Sequence, residues 1–378
     1  MLDHDEALDR LHQTAPEMTF GLSNHGPMAV EALGALGHRA LAQGFLDVYL
    51  PRLRPLRPGR PLALAERAAA LGDYDRVGDW IATFAAELDA APWASVVAEH
   101  VPCWLDGMFA GAAHGLLRTA HAVRALEADD TPARRLELAH GLGYWAARYQ
   151  RLPGEPLCGS AWAERGPPAD PPLSPAQVLA AVAPVPSARR RSGLFRTAVG
   201  ALDDDVPFAR AVTALRVLPE TASHDLHALC VAVAELYLLH PTHKLAYVHA
   251  LTAPSAVRLF AAHLGATDRC RALAYATQVA AALHAISADA DPQHSETEAL
   301  DPAARAAAAR ALPIDPMIER MAGDPDEIRY RAACSLDEHA IKFAEACLRE
   351  HRLEPDPVLC LAAADAAITL SPAIDARC

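Results

Sequence analysis

At 378 residues, 52% hydrophobic and 21% charged, the chain has the length and composition of one large globular domain or two ordinary ones, which excludes the disordered and fibrous classes. Its formal net charge of −13, from 34 basic against 47 acidic side chains, argues against nucleic acid or an anionic membrane surface as the main partner. Alanine runs such as Ala68 to Ala70 and Ala306 to Ala309 favour helix, and β-branched and aromatic residues are sparse. The expectation is an all-α fold: a single large multi-helical domain over residues 1–378 with long Pro-rich loops. Eight cysteines (103, 158, 230, 270, 334, 347, 360 and 378) contain no C-x-x-C pair, as reduced thiols of a cytoplasmic protein would. The start, MLDHDEALDR, has neither a basic segment nor an apolar run, so no signal peptide is expected, and no uninterrupted apolar stretch reads as a membrane span.

In chain order, a short amphipathic helix is expected over Asp3 to His12, then a loop over Phe20 to Gly26, a helix opened by Pro27 and running to Leu36, and another from His38 to Leu46. Prolines 51, 55, 58 and 61 mark an extended connector. Helices follow at Leu62 to Leu71, Tyr74 to Leu88, Pro92 to Leu105, within the apolar stretch Met108 to Leu126, and at Thr131 to Tyr149. Dense prolines make residues 152–186 a Pro-rich excursion. Helical patterns resume at Arg191 to Leu202, Val206 to Val217, Ser223 to Leu239, Thr242 to Leu251, Ser255 to Leu264 and Arg269 to Ile286. A polar loop occupies 287–302. The last third reads as helices at Ala303 to Ala311, Pro316 to Ala322, Ile328 to Ala333, Leu336 to Glu350 and Pro357 to Leu370.

Chemistry concentrates in a few segments. In LDEHAIKFAEACLRE (Leu336 to Glu350), His339 and Lys342 stand three residues apart on an otherwise apolar helical face. Ser335 and Glu338 form an S-x-x-E capping pattern that places the helix start at Ser335. Taken alone, this pair is a snorkelling lysine beside a hydrogen-bonded histidine, or part of a site. Three other histidines sit in distinctive surroundings: His25 just before a proline-opened helix, His114 among small residues, and His249 in HKLAYVHALTAPSAVRLF. Imidazoles on several helices suit iron, zinc or copper. Against other readings, a ferritin-like di-iron bundle needs two E-x-x-H motifs and only Glu137 to His140 is found. His224 followed by Asp225 resembles the HD-type metal-dependent phosphohydrolases over two residues. There is no H-E-x-x-H, no G-x-S-x-G, no P-loop and no glycine-rich dinucleotide fingerprint.

Four segments taken together resemble the questin oxidase-like family: NHGPMAVEALGALG from Asn24, HGLLRTAHAVRALE from His114, VHALTAPSAVRLF from Val248 and DEHAIKFAEACLRE from Asp337. They occur in the family's order and reach from residue 24 to residue 350. The resemblance implies a helical oxidoreductase with a non-haem Fe(2+) centre whose ligands are His25, His114, His249, His339 and Lys342, the lysine being one that can be carboxylated. Five such ligands leave one octahedral position for O2 or substrate. It further implies an iron-dependent mono- or dioxygenase that cleaves, or inserts oxygen into, a ring C–C bond of an aromatic or quinone polyketide, with O2 as co-substrate. NADPH accompanies some such reactions. Because the chain has no motif for binding it, a nicotinamide reductant is expected to act through a partner or to bind loosely, and flavin is not expected in stoichiometric amount.

Around such a centre Asn24 and Asp337 can orient a ligand's second ring nitrogen, and Asp337 can equally serve a helix N-terminus. Arg118 can meet an anionic phenolate or form a structural ion pair. Tyr247, Trp104 and Phe343 can wall a pocket or belong to the core. The partner is a small aromatic molecule, and no feature fixes an oligomeric state. The alternatives are an HD-like hydrolase built on His224 and Asp225, and a non-catalytic helical binding protein whose histidines are packing residues.

Overall fold

A computed structural model describes residues 2–158, 172–288 and 302–370. The centre of the Pro-rich stretch 152–186, nearly all of the polar loop 287–302, and Cys378 lie outside the described residues. The all-α class holds. Among the described residues the α-helices are α1 (His4–His12), α2 (Gly26–Ala35), α3 (Ala42–Tyr49), α4 (Leu64–Ala70), α5 (Val77–Ala90), α6 (Trp93–Trp104), α7 (His114–Ala128), α8 (Pro132–Ala147), α9 (Pro175–Ala181), α10 (Phe195–Ala198), α11 (Val206–Thr213), α12 (Ala222–Leu239), α13 (Lys244–Val257), α14 (Ala266–Ser287), α15 (Pro302–Arg310), α16 (Pro316–Ala322), α17 (Pro325–Cys334), α18 (Glu338–Leu353) and α19 (Pro357–Thr369). The described β-structure is slight: Leu157–Cys158 pairs in parallel with Arg216–Val217.

Local chemistry explains many of the helix starts. Asp3 caps α1 in a capping box with Glu6, and Asp315, Asp324 and Asp356 each cap a helix whose next residue is proline. The carboxylate accepts orphan backbone N–H groups, and the proline stands where its missing N–H costs nothing. Three expectations need correction. Arg191 to Leu202 forms only α10 and a 3₁₀ turn, Val199–Leu202. The division between Leu251 and Ser255 is absent, because α13 runs through Pro254 in its buried last turn, where only one intrahelical bond is lost. The helix carrying His339 starts at Glu338 with Asp337 as its cap, while the Ser335 hydroxyl donates back to Ala332 O. In addition α12 is long and apolar enough to cross a bilayer, contrary to the expectation that no stretch would be. Most of it, 61%, is buried in protein, as in a core helix.

The described chain falls into two compact units. One comprises residues 1–90, 117–147 and 313–378, the other 91–116 and 148–312, so that α7 begins in the second and continues in the first. In the first unit α5 packs on α8, α18 on α19 and α2 on α18. Gly143 of α8 permits close helix approach, since a Cβ there would lie 2.8 Å from the Ile81 side chain and 2.9 Å from its backbone nitrogen. The core of this unit also holds two ion clusters. Arg118 of α7 clasps Glu137 of α8 at 2.6 and 2.8 Å, and His12 Nε2 donates to the same carboxylate at 3.0 Å. Burial alone would raise the Glu137 pKa, but the Arg118 charge and these hydrogen bonds prevail and bring it down to about 2. Arg124 of α7 joins Glu31 of α2 to Glu345 of α18, and His121 donates to Glu31 at 2.6 Å. These contacts brace α2 against α18.

In the second unit α12, α13 and α14 form the central layer, with α13 packed on both neighbours and α9 and α15 against α12. A buried pair, Arg305 with Glu235 at 2.8 Å, ties α15 to α12.

Candidate metal centre

Each unit gathers part of the expected ligand set. In the first, His25 is the N-cap residue of α2, followed by Gly26 and Pro27. Its backbone is pinned from both sides, with His25 N donating to Tyr49 Oη at 2.6 Å and Gly26 N to Asn24 Oδ1 at 3.0 Å. A Cβ on Gly26 would meet Leu11 at 2.5 Å and the Tyr49 ring at 3.1 Å, so glycine is required there. Opposite, Asp337 caps α18 by accepting from His339 N and Ala340 N, both at 2.9 Å. One turn on, Lys342 Nζ lies 2.7 Å from His25 Nδ1, and the His339 ring meets the His25 ring edge-on, centroids 4.6 Å apart. His25, His339 and Lys342 therefore converge.

Lys342 is 2% exposed. Burial depresses its pKa to about 7 against the pull of Glu338 and Asp337, because an ammonium loses its hydration there. Glu338 itself is engaged by Arg52 at 3.0 and 3.3 Å, and Asp337 by the backbone of α18. Lys342 is thus a nucleophilic amine near neutral pH.

In the second unit His114, the first residue of α7, faces His249 of α13 with Nε2 atoms 3.2 Å apart. Each Nδ1 lies 2.6 Å from a backbone carbonyl, Gly111 O for His114 and Leu245 O for His249. A carbonyl carries no proton, so each Nδ1 donates, and in its neutral form each ring presents Nε2 as the lone-pair nitrogen. Two such nitrogens 3.2 Å apart can share a proton or a cation. At a metal–nitrogen distance of about 2.1 Å, two ligating nitrogens are about 3.0 Å apart at a right angle and about 3.4 Å apart at the tetrahedral angle. The observed distance falls between. Carbonyl-fixed tautomers of this kind are what metal-binding histidines use, so the donor set fits a transition metal. Phe195 stands edge-on to His249 at 5.7 Å.

Backbone strain marks the same places. Four non-glycine residues of the described chain have left-handed φ: Phe20 (64°), Ala112 (59°), Ala113 (69°) and Leu336 (53°). Each lies one to five residues before an expected ligand, respectively His25, His114 for both alanines, and His339. Such conformations cost about 1 to 3 kcal/mol each and persist where surrounding structure enforces them.

The other expected roles divide. Asn24 supports the backbone at His25, its Nδ2 donating to Thr14 Oγ1 and Ala15 O, and Asp337 acts as a helix cap, 3.9 Å from His339 Nδ1. Arg118 is the buried partner of Glu137. The Tyr247 hydroxyl pairs with His284 at 3.0 Å, the Trp104 ring lies by His100, and Phe343 is fully buried. His224 is exposed, and Asp225 accepts from Thr221 in the first turn of α12. Among the described residues these two belong to no group of three ligand-bearing side chains close enough to share an ion. Sequence reasoning missed Tyr49, Phe195 and the two carbonyls. Only the Gly111 to Ala113 run of small residues signalled anything at these positions.

The model of the questin oxidase-like family matches residues 22–347, a span that contains all five expected ligands. No curated protein matches the chain. With its ligand-bearing segments inside a match over most of its length, the chain belongs to the questin oxidase-like family, and the family implies an oxidoreductase that acts as an oxygenase of polyketides.

Proposed function

We propose that the chain is a mononuclear non-haem iron oxygenase of an aromatic or quinone polyketide, its iron held by His25, His114, His249, His339 and a carboxylated Lys342. The observation that carries the reading is the His114–His249 pair, two imidazoles each anchored by a backbone carbonyl, whose Nε2 atoms meet at 3.2 Å. The lysine beside His25 supports it. When bound, iron(II) supplies the one-electron chemistry that lets O2 react with an organic substrate.

The chain's own residues do the rest. Gly111 O and Leu245 O keep the protons of His114 and His249 on Nδ1, so the Nε2 donors need no reorganisation. Neutral Lys342 adds CO2: its Nζ lone pair forms the new N–C bond, one C–O π pair moves onto oxygen, and an Nζ proton leaves to water. The product is a carbamate, an anionic oxygen donor that offsets the charge of a divalent cation among four neutral imidazoles. Phe195 gives the His249 side an apolar wall against which an aromatic ring can pack. In the Baeyer–Villiger-type case one atom of O2 would enter a ring C–C bond beside a carbonyl and the other leave as water, with two electrons from a nicotinamide such as NADPH acting through a partner or by loose binding. In the dioxygenase case both atoms would enter the cleaved bond and no external reductant is consumed.

Metal analysis of protein purified without oxygen and loaded with iron(II) tests this. The expected content is one iron per chain, and no retained transition metal after desalting would remove the proposal.

A further inference from the structure

A second polar cavity lies in the unit that contains α2, α7 and α8. It measures about 460 Å³ and is lined by His4, Glu31, Gly34, Arg39, Arg124, Asp129 and Arg134 beside three alanines. That size suits a small ligand. Three guanidiniums and two carboxylates line it, in a chain whose net charge is −13.

The carboxylates are committed. Glu31 accepts from His121 and from two nitrogens of Arg124, and Arg124 also holds Glu345. Asp129 is 3.8 Å from Arg134, with its side chain 65% exposed. Donors remain. Arg134 spends Nε on Asp5 and Nη1 on the carbonyls of Ala125 and Asp129, which leaves Nη2 without a protein acceptor among the described residues. Arg39 is exposed and has no carboxylate partner among them. Its guanidinium lies over Gly34 of α2, where a Cβ would sit 3.7 Å from both Nε and Nη2, in ordinary van der Waals contact. His4 is 6% exposed yet makes no hydrogen bond with the described residues. A polar ring buried to that degree and left unpaired at a cavity wall calls for a ligand atom or water. Burial, together with the Arg134 and Arg39 charges, lowers its pKa against the pull of Glu31 and Asp5, so the ring is neutral and one nitrogen can donate.

We infer that this cavity is a binding site for a small oxyanion, a carboxylate or phosphate group, held by Arg39, Arg134 Nη2 and His4. A planar oxyanion takes paired N–H bonds from a guanidinium, and an unpaired imidazole supplies the third.

Calorimetric titration of the full chain with inorganic phosphate and, separately, with benzoate tests the site. Saturable binding of one equivalent of either is expected, and the preferred one identifies which oxyanion it serves. Arg39→Glu, at an exposed position, should weaken that binding by about tenfold or more, the loss of one charge-assisted contact. Arg57→Glu, the same charge change at another exposed arginine, should leave it unchanged. Absence of saturation with both probes, an unaltered constant in Arg39→Glu, or an equal loss in Arg57→Glu would overturn the inference.

Discussion

The two parts of the ligand set are built on different physical principles. The pair in the second unit is fixed, because each imidazole is locked by a backbone carbonyl three or four residues earlier and one ring lies on a strained turn. Its two Nε2 atoms stand 3.2 Å apart, close enough to share a proton or a cation. The trio in the first unit is adjustable. Lys342 can exchange between ammonium and amine, burial bringing its pKa to about 7, and in the proposed centre it would be a carbamate. The proposed centre would thus draw on a rigid neutral pair and on a lysine of variable charge.

The largest effects should come from breaking the fixed pair. His249→Phe or His114→Phe should lower iron retention by more than about a hundredfold, beyond what losing an orienting partner costs, and the metal-free protein should melt no lower than the parent, because two polar ring nitrogens no longer crowd at 3.2 Å. A large drop in the melting temperature of the metal-free variant would mean that these histidines are packing residues.

Next comes the scaffold around the trio. Arg118→Ala leaves Glu137 charged, buried and without its main partner, and should cost about 3 to 5 kcal/mol in urea unfolding. The acid limb follows from the same pair. The Glu137 pKa is depressed in the folded state, to about 2, so its stabilising contribution is complete above the ordinary carboxylate value near 4.3 and is lost as pH falls from there through about 2. Glu137→Gln should therefore flatten the fall in melting temperature over that interval, and an unchanged acid profile would contradict the assignment.

Lys342→Met probes the adjustable half and should be milder. It removes a desolvated amine, so the metal-free protein should gain about 1 kcal/mol or more, while iron binding weakens by about tenfold. A carbamate carbon signal after supply of ¹³C-bicarbonate should appear in the parent and be missing in the variant. Smallest is Ala113→Gly, which releases about 1 kcal/mol of left-handed strain but loosens the unfolded chain by nearly as much. Unfolding should then change by less than about 0.5 kcal/mol, with iron affinity falling severalfold as His114 loses its fixed turn.

The helical class and most of the helices were legible because their signals are local: alanine content, apolar period, and prolines after capping aspartates. The ligand residues were legible only as family-like strings, since no two of the four histidines share a helix-turn spacing. What made them chemically distinctive, the carbonyls of Gly111 and Leu245, the Tyr49 hydroxyl on His25 N, and the burial of Lys342, belongs to backbone and tertiary packing and has no sequence signature. The Ser335 cap misled for a related reason. Leu336 takes a left-handed turn that hands the capping role to Asp337, and a leucine at such an angle is not something propensity anticipates. Arg118, for which the sequence offered a phenolate contact or a structural ion pair, and Glu137, whose lone E-x-x-H match spoke against a di-iron bundle, are each other's partners in the fold.

X-ray absorption on the iron-loaded full chain measures the ligand count directly. One iron with four imidazoles and an oxygen donor from the carbamate is the result a five-ligand centre requires. Iron carried by only two imidazoles, unaltered when His25 and His339 are both replaced, would contradict it.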